Sequence, residues 1–220
     1  MPSLPMLSGP SVKPKSGAAP RKLVVLLHGL GADGSDLIGL APYWATQLPD
    51  AEFIAPDAPF PCDMAPMGRQ WFSLTERTPE NMLAGVRGSA PIVNEFLDKM
   101  LAARGLGDGD LALVGFSQGT MMSLYVGLRR AQPCAGILGY SGALVGADRL
   151  AQEIRARPPV LLVHGDADEV VPPQALPAAK AALAAAGVAV EAVTCPGLGH
   201  GIDQAGLTRG GDFLRRAFGL

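Results

Sequence analysis

The chain has 220 residues, of which 48% are hydrophobic and 17% are charged. This composition supports one domain with a buried core, and it excludes a wholly disordered or a collagen-like chain. The formal net charge of −2 and the lack of long Lys or Arg runs argue against a nucleic-acid partner, and no stretch of about 20 apolar residues predicts a transmembrane segment.

Residues 1–20 differ in composition from the rest of the chain. They are rich in Pro, Ser, Gly and Lys, and they lack the apolar core of a signal peptide. We therefore predict a mostly irregular N-terminal arm over residues 1–20, which is not a targeting segment. A single folded domain is expected over residues 21–220.

Short apolar runs with glycine or proline at their ends recur along this domain, as is typical of strands buried on both faces. They cover residues 23–27, 52–55, 111–114, 136–140, 160–163 and 188–193. Apolar residues repeat at helical spacing over residues 36–47, 79–103, 118–130, 173–186 and 207–218. This alternation predicts an α/β fold with a mostly parallel central sheet, helices on both faces and no separate lid domain. Functional residues are expected at the carboxyl ends of the strands.

A candidate nucleophile follows the third predicted strand. Gly115-Phe116-Ser117-Gln118-Gly119 fits the pattern Gly-x-Ser-x-Gly, directly before a predicted helix. A serine on such a strand-to-helix turn is held with strained dihedral angles, and a side chain on either flanking residue would clash. The pentapeptide alone is a weak signal in a chain with 28 glycines, and a serine that caps the helix is the other interpretation.

A serine nucleophile needs a base, and the base needs an acid to orient it. Of the two histidines after Ser117, His200 is favoured because its glycine-rich loop follows the last strand, whereas His164 ends a strand. Asp168 is favoured as the acid, because it lies further along the loop after residues 160–163. The neighbouring carboxylates, Asp166 and Glu169, remain alternatives. Asp166 is expected to be a turn residue that bonds its own backbone.

The segment after the first strand allows two interpretations. Residues 29–34 fit Gly-x-Gly-x-x-Gly, and Asp57 follows about 20 residues later, as in a dinucleotide-binding oxidoreductase. Against this, His28 enters the turn and Asp57 lies past the end of its strand. In a hydrolase, the same turn supplies a backbone N–H to the oxyanion hole, and the residue after the nucleophile supplies a second. Leu30 and Gln118 hold those positions.

The cysteines and histidines give no sign of a disulfide framework or a metal site. The three cysteines are isolated and odd in number: Cys62, Cys134 and Cys195. They are expected to be packing residues of a chain in the reducing cytoplasm. The three histidines of the chain are not paired with each other or with cysteine at metal-ligand spacing, so neither a metal nor a cofactor is expected.

Together these motifs resemble the phospholipase/carboxylesterase family of α/β-hydrolases, which includes bacterial carboxylesterases, lysophospholipases and acyl-protein thioesterases. The resemblance covers residues 21–218 and rests on residues 28–31, 115–119, 164–172 and 199–200. It implies that Ser117 is the nucleophile, Asp168 the acid and His200 the base, with Leu30 and Gln118 as the oxyanion-hole residues. It also implies an α/β-hydrolase fold.

The aperiodic segment over residues 56–78 holds the candidate substrate-binding residues. Trp71 and Phe72 resemble the Trp-Phe stretch that helps to wall the acyl site in the family, and Met67 suits an adaptable apolar wall. A satellite core under a long loop is the alternative. Ser73 and Thr120 depart from the residues common in the family, Asp and Gly respectively, and this affects substrate preference more than the chemistry.

The interpretation is therefore a cytoplasmic serine hydrolase that cleaves small carboxylic esters or thioesters without a cofactor. The resemblance is compatible with a homodimer. Two alternatives are a non-catalytic binding protein on the same fold, which would lack one residue of the triad, and the dinucleotide-binding oxidoreductase.

Overall fold

A computed structural model describes residues 4–220, which contain nine strands, seven α-helices and a 3-10 helix at Asp108–Asp110. The strands are β1 (Ser11–Val12), β2 (Lys22–Leu27), β3 (Ala51–Ile54), β4 (Phe60–Pro61), β5 (Arg69–Gln70), β6 (Leu111–Phe116), β7 (Gly136–Tyr140), β8 (Val160–Gly165) and β9 (Val190–Cys195). The helices are α1 (Gly34–Ile38), α2 (Ala41–Trp44), α3 (Pro79–Ala102), α4 (Gln118–Gly127), α5 (Ala147–Glu153), α6 (Ala175–Ala185) and α7 (Gln204–Ala217).

The main sheet has seven strands in the order β1-β3-β2-β6-β7-β8-β9. β1 is antiparallel to β3, and each other neighbouring pair is parallel. β4 and β5 form a separate antiparallel pair. The predicted α/β fold with a mostly parallel central sheet is confirmed, and β6, which carries the serine motif at its end, is its central strand.

Strand β2 shows why the sheet is covered on both faces. Leu23, Val25 and Leu27 point into an apolar layer that also contains residues of α3, α4 and α6. Val24 and Leu26 point into the opposite layer, with residues of α1, α2 and α7. Successive side chains of a strand point to opposite faces, so a continuous apolar run requires helices on each side.

The sequence did not predict three local features of the structure. The helix expected over residues 36–47 is divided into α1 and α2, and Pro42 lies in the first turn of α2, where its missing N–H costs least. The sequence reasoning also missed α5. The β4–β5 hairpin lies within the segment expected to be aperiodic, because strands of two residues leave no readable alternation.

The expected N-terminal arm packs along the edge of the sheet through residues 4–20, while residues 1–3 lie outside the described residues. β1 pairs with β3, and the backbone N–H groups of Ala55 and Asp57 donate to the carbonyl groups of Pro10 and Ser8 at 3.0 and 2.9 Å. The arm is therefore joined to the domain by backbone hydrogen bonds, although β1, the one regular element within residues 4–20, has two residues. Along residues 4–220, no helix combines the length and apolar composition that a membrane span requires.

A buried carboxylate in β3 predicts a measurable pH dependence of stability. Glu52 receives hydrogen bonds from Arg104 at 2.9 and 3.0 Å, and Lys13 of the arm donates to it at 3.0 Å. The hydrogen bond from Arg104 is the main reason why the pKa of Glu52 is held below its ordinary value of 4.5.

We expect Glu52→Gln to lower the free energy of unfolding by about 3 kcal/mol at pH 7, because it leaves the Arg104 charge without its partner. A carboxylate whose pKa is lower in the folded than in the unfolded state stabilises the protein at pH values above the unfolded pKa. This stabilisation is lost as the pH falls through the folded pKa. The difference between the two proteins should therefore shrink as the pH falls below 4.5. Urea unfolding at several pH values measures this, and a difference that is constant with pH would contradict it.

Candidate active site

The serine motif forms the turn that joins β6 to α4. Ser117 has φ 54° and ψ −115°, a strained conformation for a residue other than glycine, and it is 8% exposed. A Cβ at Gly115 would overlap the peptide group of Gly119, and a Cβ at Gly119 would overlap the carbonyl oxygen of Leu27. Both flanking glycines are therefore required by close backbone contacts, and the turn holds Ser117 at the carboxyl end of the central strand.

His200 and Asp168 meet from two different loops. His200 lies after β9 and Asp168 after β8, and His200 Nδ1–H donates to Asp168 Oδ2 at 2.8 Å. The Asp168 side chain is fully buried, whereas the His200 side chain is 19% exposed and its ring lies 4.9 Å from that of Phe116. The proton on Nδ1 leaves Nε2 as the proton acceptor, which is the state a general base requires.

The other contacts of Asp168 fix its carboxylate. The N–H groups of Val170 and Val171 each donate to Oδ1 at 2.9 Å, and His164 Nε2 lies 3.2 Å from Oδ2. Burial raises the pKa of Asp168, but the hydrogen bonds from His200 and the two N–H groups outweigh it and hold the pKa below its ordinary value. The carboxylate is therefore ionised and oriented at neutral pH.

The residues considered as alternatives have other contacts. Asp166 is exposed and accepts a hydrogen bond from the N–H of Gly197 at 2.6 Å. It therefore links two loops, whereas the sequence predicts that it bonds its own backbone. Glu169 is exposed. His164 is buried at the end of β8, and its Nε2–H donates to Val171 O at 2.9 Å.

Ser117 and His200 line one cavity of about 780 Å³. Most of its other lining residues are apolar: Leu30, Leu74, Met82, Phe116, Met121, Ala143, Val170, Val171, Pro172, Ala175 and Ala178. Arg77 and Gln174 add polar groups to the wall. A large apolar cavity with a few polar groups that include a nucleophile is the usual form of a small-molecule site.

The two expected oxyanion-hole residues lie beside Ser117. Leu30 lines the cavity, and a Cβ on the preceding Gly29 would lie 3.4 Å from Ser117 Cβ. Gln118 is the first residue of α4, where a backbone N–H has no partner within its own helix. The backbone N–H groups of Leu30 and Gln118 thus belong to one residue that shares the cavity with Ser117 and one that follows Ser117 in the chain.

The expected substrate-binding residues Met67, Trp71 and Phe72 do not line this cavity. Trp71 is fully buried, its Nε1–H donates to His28 O at 2.9 Å, and its backbone N–H donates to Gln118 Oε1 at 2.9 Å. Gln118 Nε2 also donates to Phe72 O at 2.7 Å, and the Phe72 ring lies against α3. Met67 is 94% exposed. The Trp-Phe pair is held in the core by the buried amide of Gln118.

Residues 68–72 instead brace the loop that carries Leu30. Gly31 N–H donates to Arg69 O, and Arg69 N–H donates to Ala32 O, both at 2.9 Å. The Arg69 guanidinium in turn donates to the carbonyl groups of Ala58 and Pro59 at 2.8 and 3.0 Å. This part of the aperiodic segment therefore supports the candidate oxyanion loop from behind.

The glycine pattern that suggested a dinucleotide site has a packing explanation. Gly34 N–H donates to Asp57 Oδ1 at 2.8 Å, and a Cβ at Gly34 would overlap the carbonyl oxygen of Ala55. The carboxylate that would bind a ribose is thus used within the chain. The glycine is needed for close contact with the protein's own backbone.

The cavity wall contains residues that the sequence reasoning did not connect with the site. Leu74, Met82 and Met121 come from the aperiodic segment, α3 and α4, and residues 170–178 come from the loop before α6 and its first turns. Met82 and Met121 lie in runs of apolar periodicity, which predicts a core position equally well, and Leu74 lies in the segment without periodicity. No local pattern distinguishes a cavity wall from a core.

The comparisons with known proteins agree on one family. A model of the Phospholipase/Carboxylesterase family matches residues 9–217. The crystal structure of esterase PE8 is 43% identical, with a TM-score of 0.93 over 96% of this chain and 99% of that chain. Esterase YpfH of Escherichia coli is 29% identical over 89% of this chain and 82% of its own length. Acyl-protein thioesterase 1 of Schizosaccharomyces pombe is 34% identical over 68% and 69%.

Proposed function

The chain belongs to the phospholipase/carboxylesterase family and is a hydrolase of the esterase and thioesterase class, and from this premise we propose that Ser117, His200 and Asp168 are its catalytic triad. The observation that carries the proposal is that Ser117 and His200 line one apolar cavity while His200 is hydrogen-bonded to a buried Asp168.

Acylation follows from this arrangement. His200 Nε2 takes the proton of Ser117 Oγ as the oxygen attacks the acyl carbon, and the imidazolium that forms is stabilised by the Asp168 carboxylate. The negative charge that develops on the acyl oxygen is bound by the backbone N–H groups of Leu30 and Gln118. His200 then gives its proton to the departing alcohol or thiol, which leaves the acyl group on Ser117.

Deacylation repeats these steps with water. His200 Nε2 takes a proton from water, and the hydroxide attacks the acyl carbon. When the second tetrahedral intermediate collapses, the proton returns to Ser117 Oγ and the carboxylic acid is released. Each role uses a residue of this chain, and the strained turn of Ser117 keeps the oxygen in the cavity throughout.

The substrate class follows from the cavity wall. Its apolar residues suit an acyl chain, and a small ester or thioester is the expected substrate. We further propose a cytoplasmic location, supported by three buried free cysteines, which suit a reducing compartment. A homodimer is proposed from the family resemblance, and light scattering that gives the mass of one chain would contradict it.

A panel of p-nitrophenyl esters tests the cavity as the acyl site. Each CH₂ that becomes buried contributes about 0.8 kcal/mol, or about a fourfold rise in kcat/KM. We expect kcat/KM to rise with acyl length and then to fall where the cavity ends. Ala143→Phe adds bulk inside the wall and should move the optimum to shorter acyl chains, while acetyl-ester turnover changes little.

Met67→Ala is the matched control, because Met67 is exposed and lies outside the cavity. This substitution should leave the dependence of kcat/KM on acyl length unchanged. A profile that is independent of acyl length in the wild type, or an optimum that does not move in Ala143→Phe, would show that acyl chains bind elsewhere. A set of matched thioesters, measured in parallel, decides which leaving group is preferred.

A further inference from the structure

His28 is a buried histidine beside the cavity that the triad does not use. It follows β2 directly, and none of its surface is exposed. Its Nδ1 lies 2.7 Å from Gly29 O, and its Nε2 lies 3.0 Å from the backbone N of Ala58. The ring also packs against Trp71, with ring centroids 5.5 Å apart.

These two contacts determine which ring nitrogen carries the proton. A backbone N–H is always a donor, so Nε2 of His28 accepts from Ala58 and has no proton of its own. Nδ1 therefore carries the proton and donates to Gly29 O. Burial is the largest effect on the His28 pKa and lowers it below its ordinary value, despite the bond to Gly29 and the charges of Asp57, Asp33 and Asp36. The ring is therefore neutral at pH 7.

The acceptor of this bond belongs to a particular peptide group. The carbonyl of Gly29 and the N–H of Leu30 are the two ends of one planar trans peptide unit, so they point in opposite directions. A donor that fixes the carbonyl also fixes the direction of the N–H. It withdraws electron density from the carbonyl oxygen as well, which polarises the N–H as a donor.

We propose that His28 is a positioning residue that aims the Leu30 N–H at the oxyanion by holding the Gly29–Leu30 peptide with its Nδ1 proton. The proposal rests on the proposed function, in which that N–H is an oxyanion-hole donor. A Cβ at Gly29 would lie 3.4 Å from Ser117 Cβ, so this peptide lies beside the nucleophile. Trp71 Nε1–H donates to His28 O and holds the same turn from behind.

Two variants separate this role from a structural one. An amide at the Nδ1 position can be supplied by His28→Asn, which keeps a donor for Gly29 O and loses the acceptor for Ala58 N–H. His28→Gln reaches the Nε2 position, so it keeps the acceptor for Ala58 and loses the donor for Gly29 O. The two variants thus each retain one of the two hydrogen bonds.

We expect His28→Gln to lower kcat about 10- to 100-fold with KM nearly unchanged, because an oxyanion contact stabilises the transition state and not the bound ester. His28→Asn should keep kcat within about threefold of the wild type, although it melts at a lower temperature, because Ala58 N–H is left without a partner. Kinetics below both melting temperatures, normalised to the folded fraction, measure this.

If His28 serves stability alone, activity follows the melting temperature, and the variant that melts lower is also the slower one. That outcome, or wild-type kcat in His28→Gln, overturns the proposal. Ser117→Ala distinguishes a failure of the proposed function from a failure of this proposal. Activity that survives Ser117→Ala rules out an acyl-enzyme at Ser117. Activity that needs Ser117 but tolerates His28→Gln rules out only the role of His28.

The wild-type protein provides a test that does not depend on how the variants fold. Ring ¹⁵N shifts distinguish the two neutral tautomers and the charged ring, and the chain has only three histidines to assign. We expect a neutral His28 with its proton on Nδ1 at pH 7. A proton on Nε2, or a charged ring, would overturn the proposal.

Discussion

Ser117→Ala is expected to lower ester kcat by about 10⁴- to 10⁶-fold, since no acyl-enzyme forms without the Ser117 oxygen. KM should change much less, because the apolar wall of the cavity remains. The substitution removes one atom from a residue whose backbone is held by its own N–H bond to Tyr140 O at 2.9 Å. Steady-state kinetics on p-nitrophenyl esters, with circular dichroism to verify folding, measure this effect.

A fluorophosphonate probe provides the companion measurement, because it reacts with activated serines. It should label the wild-type protein at Ser117 with a stoichiometry of one, and it should leave Ser117→Ala unlabelled. Ser123→Ala is a suitable control substitution, because Ser123 is buried on α4 and lies outside the cavity wall. Labelling at another serine, or wild-type turnover in Ser117→Ala, would show that Ser117 is not the nucleophile.

Asp168→Asn is expected to lower kcat by about 10⁴-fold at neutral pH while the fold is kept. The N–H groups of Val170 and Val171 both donate to Oδ1, so the carbonyl oxygen of the new amide will occupy that position. Its NH₂ group then faces His200 Nδ1 and can bond only to an unprotonated nitrogen. The proton of His200 moves to Nε2, where it prevents the ring from accepting the proton of Ser117.

Asp166→Asn is the matched control for this change. Asp166 lies two residues before Asp168 and uses Oδ1 to accept from Gly197 N–H, which an asparagine oxygen can also do. We therefore expect less than a fivefold loss of kcat. If Asp166→Asn proves the more damaging of the two, Asp168 is not the acid.

The elements that sequence reasoning predicted well are those set by local contacts. The central strands are read from apolar runs, because a parallel strand covered on both faces has almost no polar positions. The serine turn is read from five residues, since Gly115 is required by a backbone contact within that turn and Gly119 by its close approach to the carbonyl oxygen of Leu27 on β2. The proposed roles of Asp168 and His200 rest on which strand each loop follows.

The positions that it missed depend on contacts between distant segments. Trp71 and Phe72 are apolar in either role, and what excludes them from the cavity is the amide of Gln118, more than 40 residues away along the chain. Asp166 was expected to bond its own turn, and its actual partner belongs to the His200 loop. A residue type does not show which of several distant groups it will reach.

By itself, the sequence therefore determined the fold class, the family and the residues at the ends of the strands, because strand burial and the tight turn impose local patterns. Only the tertiary structure decided which side chains line the cavity beside Ser117 and which support the loop that carries Leu30. Leu74, Met82, Met121 and Ala175 come from four separate parts of the chain, and they share a wall only because the sheet brings these parts together. Burial looks the same in sequence for a wall and for a core, and the difference between them is the empty space on one side.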